Sequence, residues 1–363
     1  MFEPPSRTDA LFAALAGIAA VAGNFALTGY TRSFVVAPID ALVVRLTPGA
    51  IVAYVIDTVG EAGHLLHIGL SFCLAVALFA GIALGGISLA RRVGTVPAAG
   101  LTGVLAWAVA AAMTGALGFA LGAGVPVAVA TVASTTGPAS RSHDPARRRV
   151  LGALAATVGF VGISAGAGTV RRPKEELDDA PGTEDVQARM DDAATRELDV
   201  ASEALPGLVS EIGSFYNVDI AEFEPEIPAE EWSLTLTGEV ADDDLTVDYA
   251  DLQELPTENR FVTLRCVGEP LNGRKLDTAV WTGTPIKPLL EEVDPDGECG
   301  CVVLRGDDGY FVEYPVEVLE TGFLAWGMNG KELPAQHGHP VRILIPGHWG
   351  ETNVKWLTEI EML

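Results

Sequence analysis

The first 170 residues alternate between long apolar runs and short polar connections. Residues 10–30, 65–90 and 150–170 carry no Asp, Glu, Lys or Arg, and each reaches the roughly 20 residues that cross a bilayer core. Residues 97–133 are also free of these charges, but 37 residues are too many for one simple span. The Gly-rich "TGALGFALGAGVP" inside that run predicts a tight hairpin of two short helices. Five spans follow, with four as the alternative. The segment "FVVAPIDALVVRLTPGAIVAYVIDTVGEAG" is apolar yet holds Asp40, Arg45, Asp57 and Glu61, with Pro38 and Pro48 as breakers. Charges at a bilayer centre cost about 3 kcal/mol or more, so an interfacial or re-entrant course fits it better than a span.

From about residue 205 the period changes. "WSLTLTGEV", "RFVTLRC", "CGCVVLRG" and "HPVRILIPG" read as strands, and "DYADLQEL" and "TPIKPLLEEV" as short helices between them. Residues 205–363 thus form an α+β, β-rich domain large enough for one core. Between the halves, residues 171–204 are acidic and poor in apolar residues, which predicts a solvated linker or helix.

Charge sharpens this division. Residues 1–170 hold nine Lys/Arg against six Asp/Glu, and residues 171–363 hold fourteen against forty-two, within a total of −25. A surface so acidic excludes nucleic acid as a partner, because phosphate binding needs a basic face. The acid is spread along the domain, which suggests a surface suited to high salt. Arg7, Arg91, Arg92, Arg141, Arg147, Arg148 and Arg149 fall on one side of a five-span topology, which places residues 171–363 outside the cytoplasm. "ARRRVLGALAATVGFVGISAGAG" is similar to a twin-arginine export signal. Ordinary positive-inside anchoring of the last helix accounts for the same arginines.

The chemistry begins with "FVTLRCVGEP". Cys266 ends an apolar strand, where a free thiol is either core filling or a soft thiolate ligand. Cys299 and Cys301 are too close for a zinc site, and a disulfide across one residue would be strained, so two strand-edge thiols are expected. His64 and His67 share a helix face, and no other predicted span carries a His to complete a haem site. A polar interfacial face is expected there.

Five pieces in order, "FYNVDIAEFEPEIPAEEWSLTLTGEV", "FVTLRCVG", "AVWTGTPIKPLLEEV", "RGDDGYFVEYPVE" and "LAWGMNGKELPAQHGHPVRILIPGHWGETNVKWLTEIEM", resemble the catalytic domain of the sulfite oxidase family of molybdopterin-dependent oxidoreductases. The resemblance covers about residues 205–363. The apolar runs give an N-terminal transmembrane helical bundle (1–170), and the resemblance implies that it carries a sulfite-oxidase-type molybdopterin-binding domain, with Mo-molybdopterin as cofactor and Cys266 as the protein ligand to molybdenum. His337 and Arg342 match a pair that meets the pterin and its phosphate. Asn353, Val354 and Lys355 match the segment that holds the cofactor tail, and Tyr216 and Asn217 an early pterin-contacting segment. Asp307 is similar to a position near the cofactor, with Asp308 as the alternative. Tyr310 looks like the aromatic residue facing the metal, a candidate proton donor.

Sulfite oxidases surround their anionic substrate with arginines, but here Cys266 is followed by Val-Gly-Glu-Pro and the early segment reads Tyr-Asn-Val-Asp. Glu269 beside the metal would repel sulfite. Reduction of a small neutral S-oxide or N-oxide is therefore expected, with a membrane quinone or a separate redox protein as electron partner. Sulfite oxidation and a non-enzymatic ligand-binding role are the alternatives. The immunoglobulin-like dimerisation domain of sulfite oxidases is not expected after "KWLTEIEML".

Overall fold

The computed structural model describes residues 6–48, 51, 54, 64–135, 145–170, 177–196, 208–218, 223–238, 244–270, 273–293 and 300–363. It divides into two compact units, residues 1–174 and 175–363.

The first unit is helical: α1 (Arg7–Thr28), α2 (Ala37–Leu46), α3 (His64–Val93), α4 (Thr95–Thr114), α5 (Leu121–Thr135) and α6 (Pro145–Val170). Four of these, α1, α3, α4 and α6 (the last over Val150–Val170), are long and apolar enough to cross a membrane, and α5 is a shorter apolar helix. The expected hairpin is α4 and α5. Gly115 ends α4 in the left-handed region at φ 70°, which a side chain would disfavour. Small residues let the helices approach closely: a Cβ on Gly23 would lie 2.4 Å from the Gly122 carbonyl of α5. The N-terminus of α1 is closed by a capping box between Ser6 and Asp9, and Asp9 also pairs with Arg91 at the far end of α3.

Asp40 is not at an open interface. It sits on α2 and is buried, as are Phe34, Val35 and Val36 just before that helix. Asn24, fully buried on α1, accepts from Val35 N at 2.8 Å and donates to Phe119 O at 3.0 Å, tying two loops to the helix. Arg45, at the other end of α2, is exposed; Asp57 and Glu61 lie outside the described residues.

The second unit is built on two five-stranded sheets. One has the order β2 (Leu245–Asp248), β1 (Ser233–Gly238), β10 (Leu357–Met362), β5 (Cys301–Gly306), β6 (Phe311–Pro315). The other runs β3 (Glu258–Arg265), β4 (Leu276–Pro285), β7 (Phe323–Met328), β8 (Lys331–Glu332), with β9 (Arg342–Leu344) also pairing β7. β1 and β10 pair in parallel, so the last strand of the chain sits at the centre of its sheet. β7 is buried along its full length, as its unbroken apolar run requires. One core gathers Leu234, Leu236, Leu304, Trp326 and Ile360, and a second gathers Phe215, Val262, Leu264, Trp281 and Leu344. The short helices fall as expected, at Tyr249–Glu254 and Lys287–Val293.

Two expectations need correction. Residues 180–182 pack onto this unit instead of lying in solvent: Ala180 joins the first core, Trp326 Nε1 donates to Pro181 O at 3.2 Å, and Asn259 Nδ2 donates to Gly182 O at 2.9 Å; Val186–Thr195 then form a helix that buries only Val186 and Ala193. Three small or turn-forming residues, Ala-Pro-Gly, carry those contacts, so average polarity hid them. Cys301 is disulfide-bonded, whereas Cys73 and Cys266 are free. Cys299 lies outside the described residues.

Candidate molybdopterin site

Cys266 follows the last residue of β3, where the strand opens into a turn. Its N–H donates to Lys275 O at 3.0 Å and its carbonyl accepts from Glu269 N at 3.3 Å, which fixes the thiol at the sheet end. The thiol is free and partly exposed. Glu269 does not face a ligand there. Its Oε1 accepts from Arg274 N at 2.8 Å and its Oε2 lies 3.9 Å from Lys275 Nζ, so the carboxylate closes its own loop and is balanced by a cation. The electrostatic case against an anionic substrate therefore does not rest on Glu269.

The segment 210–217 is hung from a residue that the sequence analysis did not single out. Asp277, buried on β4, accepts from Ser210 Oγ at 2.5 Å and from Tyr216 N at 2.8 Å. An Asp inside the strand "LDTAVWTG" was the available signal, since a buried carboxylate must find donors. Phe215 is pinned edge-on between Trp281 and His337, with ring centroids 5.7 and 5.4 Å away. The Tyr216 hydroxyl is buried with no partner among the described residues. Burial pushes its pKa up to about 12, so it keeps its proton and stands as an unused donor. It lies against Gly350, where a Cβ would fall 2.1 Å from the hydroxyl and 3.3 Å from Arg265 O. Only glycine fits that approach of the 349–352 turn to the Cys266 strand end.

Arg342 opens β9 and is 4% exposed. Its Nη1 donates to His337 O at 3.0 Å and its Nη2 to Asn353 O at 3.1 Å, while Nε has no partner among the described residues. No carboxylate pairs with it among those residues. Burial holds its pKa down to about 10, and the Trp281 ring lies 5.2 Å from the guanidinium carbon. A guanidinium buried without an anion is costly. His337, 1% exposed, donates from Nε2 to Ile212 O at 3.3 Å, and burial with Arg342 nearby lowers its pKa to about 4. It is neutral at physiological pH.

Lys355 draws the rest together. Its Nζ donates to Asn217 Oδ1 at 2.8 Å and to Gln336 O at 2.9 Å. Gly338, at φ 107°, lets the chain turn where a Cβ would press on Arg342 and Lys355 at 3.0 and 3.1 Å. Asn353 and Val354 take roles other than side-chain contact with a ligand. Asn353 accepts from Ile345 N at 2.6 Å and donates to Trp349 O at 2.6 Å, bracing the turn, and Val354 is in the core. Asp307 N donates to Trp356 O at 2.9 Å, beside Lys355, whereas Asp308 Oδ1 accepts from Tyr310 N at 3.0 Å and shapes the β5–β6 hairpin. The Tyr310 hydroxyl donates to Glu351 O at 2.8 Å, and burial raises its pKa. Two chains of contacts result: Cys266, Tyr216, Tyr310 and the 349–352 turn in one, Asn217, Asp307, His337, Arg342 and Lys355 in the other. Arg342, which influences Tyr216 electrostatically, links them.

The family model described as "Oxidoreductase molybdopterin binding domain" matches residues 221–363. A nitrate reductase [NADPH] of Beauveria bassiana is 32% identical over 166 residues, 38% of this chain and 18% of that protein. The uncharacterized oxidoreductase YuiH of Bacillus subtilis (strain 168) is 28% identical over 132 residues, 36% of this chain and 64% of that protein. This chain thus spans less than two thirds of either relative. The crystal structure of the sulfane dehydrogenase SoxCD from Paracoccus pantotrophus aligns at 18% identity and a TM-score of 0.40, over 53% of this chain and 58% of that one.

Proposed function

We propose, from the premise that residues 221–363 belong to the oxidoreductase molybdopterin-binding family, that this molybdenum-dependent oxidoreductase reduces a small S-oxide or N-oxide from a membrane anchor. The observation that carries the site assignment is Arg342, a buried cation with an unpartnered Nε and no anion of its own among the described residues. The cofactor fits the residues present: Arg342 and Lys355 supply charge to its phosphate, Tyr216 offers an unused buried hydroxyl, and Cys266 supplies the thiolate. His337, neutral, holds the early segment through Ile212 and adds no charge. Asn353 and Val354 act through the backbone they position, and Asn217 and Asp307 flank Lys355.

When bound, the molybdenum supplies two-electron chemistry coupled to transfer of one oxygen atom. Tyr310, protonated because burial raises its pKa, provides a proton at the site. A neutral oxide is the substrate favoured by the segments 216–219 and 267–270, which carry no arginine where sulfite oxidases present theirs. Residues 1–170 anchor the enzyme, with residues 205–363 extracytoplasmic, and electrons come from a membrane quinone or a separate redox protein.

Purified full-length protein supplied with a reduced viologen dye should consume methionine sulfoxide, dimethyl sulfoxide or trimethylamine N-oxide, with molybdenum present by elemental analysis. Sulfite oxidation with no oxide reduction would overturn the substrate reading. Protease added to intact spheroplasts should cleave the catalytic unit, and full protection would overturn the topology.

A further inference from the structure

Among the described residues of the membrane unit, one buried side chain is ionisable: Asp40, 3% exposed. An ionisable group inside such a bundle is expensive, and its partner defines its role. Asp40 Oδ1 accepts from Ser71 Oγ at 2.8 Å and lies 3.0 Å from His67 Nδ1, both on α3. With Nδ1 turned to the carboxylate, which accepts, Nε2 is the ring nitrogen that faces away from it. The His67 side chain is 28% exposed, so this face of the ring is reachable. A helix tie alone needs no titratable partner, as Asn24 shows with two backbone bonds.

The cluster sits at a particular end of the bundle. Phe25 near the end of α1, Phe34 before α2 and Phe72 beside Ser71 form an aromatic chain with centroids 5.4 and 5.7 Å apart. A Cβ on Gly168, in the last turn of α6, would lie 2.3 Å from the Phe25 ring. Asp40 and His67 are therefore at the same end of the bundle as the last turn of α6.

We propose that Asp40 and His67 form the site at which a lipid-soluble hydroquinone is oxidised. His67 Nε2 accepts the proton of a hydroquinone hydroxyl, and Asp40 orients the ring and balances the imidazolium that results. Ser71 holds the carboxylate in place. The hydroquinone loses two electrons and two protons and becomes a quinone. One proton passes to His67 and the other to water at this end of the bundle. The electrons go to the catalytic domain, where an S-oxide takes up two electrons and two protons and yields the sulfide and water. The proposal rests on the S-oxide reading and assigns its electron source to this chain.

The test uses the full, cofactor-loaded chain in lipid nanodiscs with dimethyl sulfoxide and a short-tailed naphthohydroquinone. Each preparation is also assayed with reduced viologen, which reduces the catalytic domain directly. In His67→Gln and Asp40→Asn, the ratio of hydroquinone-driven to viologen-driven rate should fall at least tenfold. An unchanged ratio overturns the proposal, including when the variants only melt earlier, which would make the pair a structural tie. A wild type that uses viologen but no hydroquinone also overturns it and points to a separate redox protein, while the S-oxide reading stands. No oxide reduction with either donor sinks that reading itself. A second measurement needs no variant: a photoreactive short-tailed naphthoquinone should label α2 or the first two turns of α3. Labelling confined to other helices counts against the site.

Discussion

The two units treat buried polar groups in opposite ways. In the helical unit, residues 1–174, Asn24 is fully buried, and its amide oxygen and amide nitrogen each have a backbone partner. In the catalytic unit Arg342 is nearly as buried, yet Nε is left over and the charge has no counter-ion among the described residues. Completed pairing is what architecture requires, because an unpaired buried group costs free energy for nothing. Incomplete pairing around a charge marks the place of something else. Asp40 stands between these cases: its oxygen is satisfied, but by a residue that can itself exchange a proton.

The largest effect expected from breaking this contrast is at Cys266. Cys266→Ala removes the thiolate while the backbone bonds to Lys275 and Glu269 remain, so the domain should fold with unchanged circular dichroism. Activity should fall by more than about a thousandfold, as for loss of a group acting directly on the reacting centre. Absorption from thiolate-to-metal charge transfer should vanish, and its persistence would remove Cys266 from the metal.

Arg342 should show two opposite responses. Arg342→Met leaves the bound phosphate without its cation, a loss of about 2–5 kcal/mol that should strip cofactor during gel filtration. In cofactor-free protein the same substitution replaces an uncompensated buried charge with apolar volume beside Trp281. The thermal transition of the catalytic unit should then rise. A fall in both states would mean that the charge is satisfied by the protein alone. The converse substitution, Asn24→Leu, strands the Val35 N–H and the Phe119 carbonyl, at about 1–3 kcal/mol each. It should lower the melting temperature of the membrane unit whether or not cofactor is bound.

These contrasts also explain what the sequence could convey. The places of Cys266 after β3 and of Arg342 at the start of β9 were legible because the apolar strand pattern fixes them locally. Asp277 was not, since its importance comes from Ser210 and Tyr216, more than sixty residues away. Glu269 misled because its position beside Cys266 is local, whereas its direction is set by the turn back to Arg274 and Lys275. Average polarity concealed the docking of Ala180 and Gly182, where a few backbone and methyl contacts outweigh many charges. Hydropathy found the apolar helices but not the burial of Asp40, because only folding brings α2 against His67 and Ser71.

His337 gives a smaller, pH-dependent effect. Its folded pKa is about 4 against an ordinary 6.5, so the unfolded chain binds the extra proton first as pH falls. Its contribution to stability is complete above pH 6.5 and is lost progressively down to pH 4, by up to about 1.4 kcal/mol per pH unit. Urea midpoints of His337→Gln between these limits should be flatter with pH than those of wild type. Equal slopes would show that His337 is not the group responsible.

The smallest effect distinguishes the surfaces of the two units. Arg305 on β5 pairs with Glu359 at 2.9 Å and with Glu361, two residues apart on the same face of β10. All three side chains are a third or more exposed, so the pairs contribute little, about 0–1 kcal/mol. Removing the cation has a second consequence, because two like charges then face one another in a domain already crowded with acid. Arg305→Gln should lower stability by about 1 kcal/mol at low ionic strength, and by nearly nothing in molar salt, where the Debye length is about 3 Å. A loss that persists at molar salt would mean packing by the arginine, whose guanidinium carbon lies 5.7 Å from the Phe311 ring centroid, rather than ion pairing. A loss that vanishes would show that the acidic surface of this unit depends on screening, a requirement that the membrane unit, with its few charges, does not share.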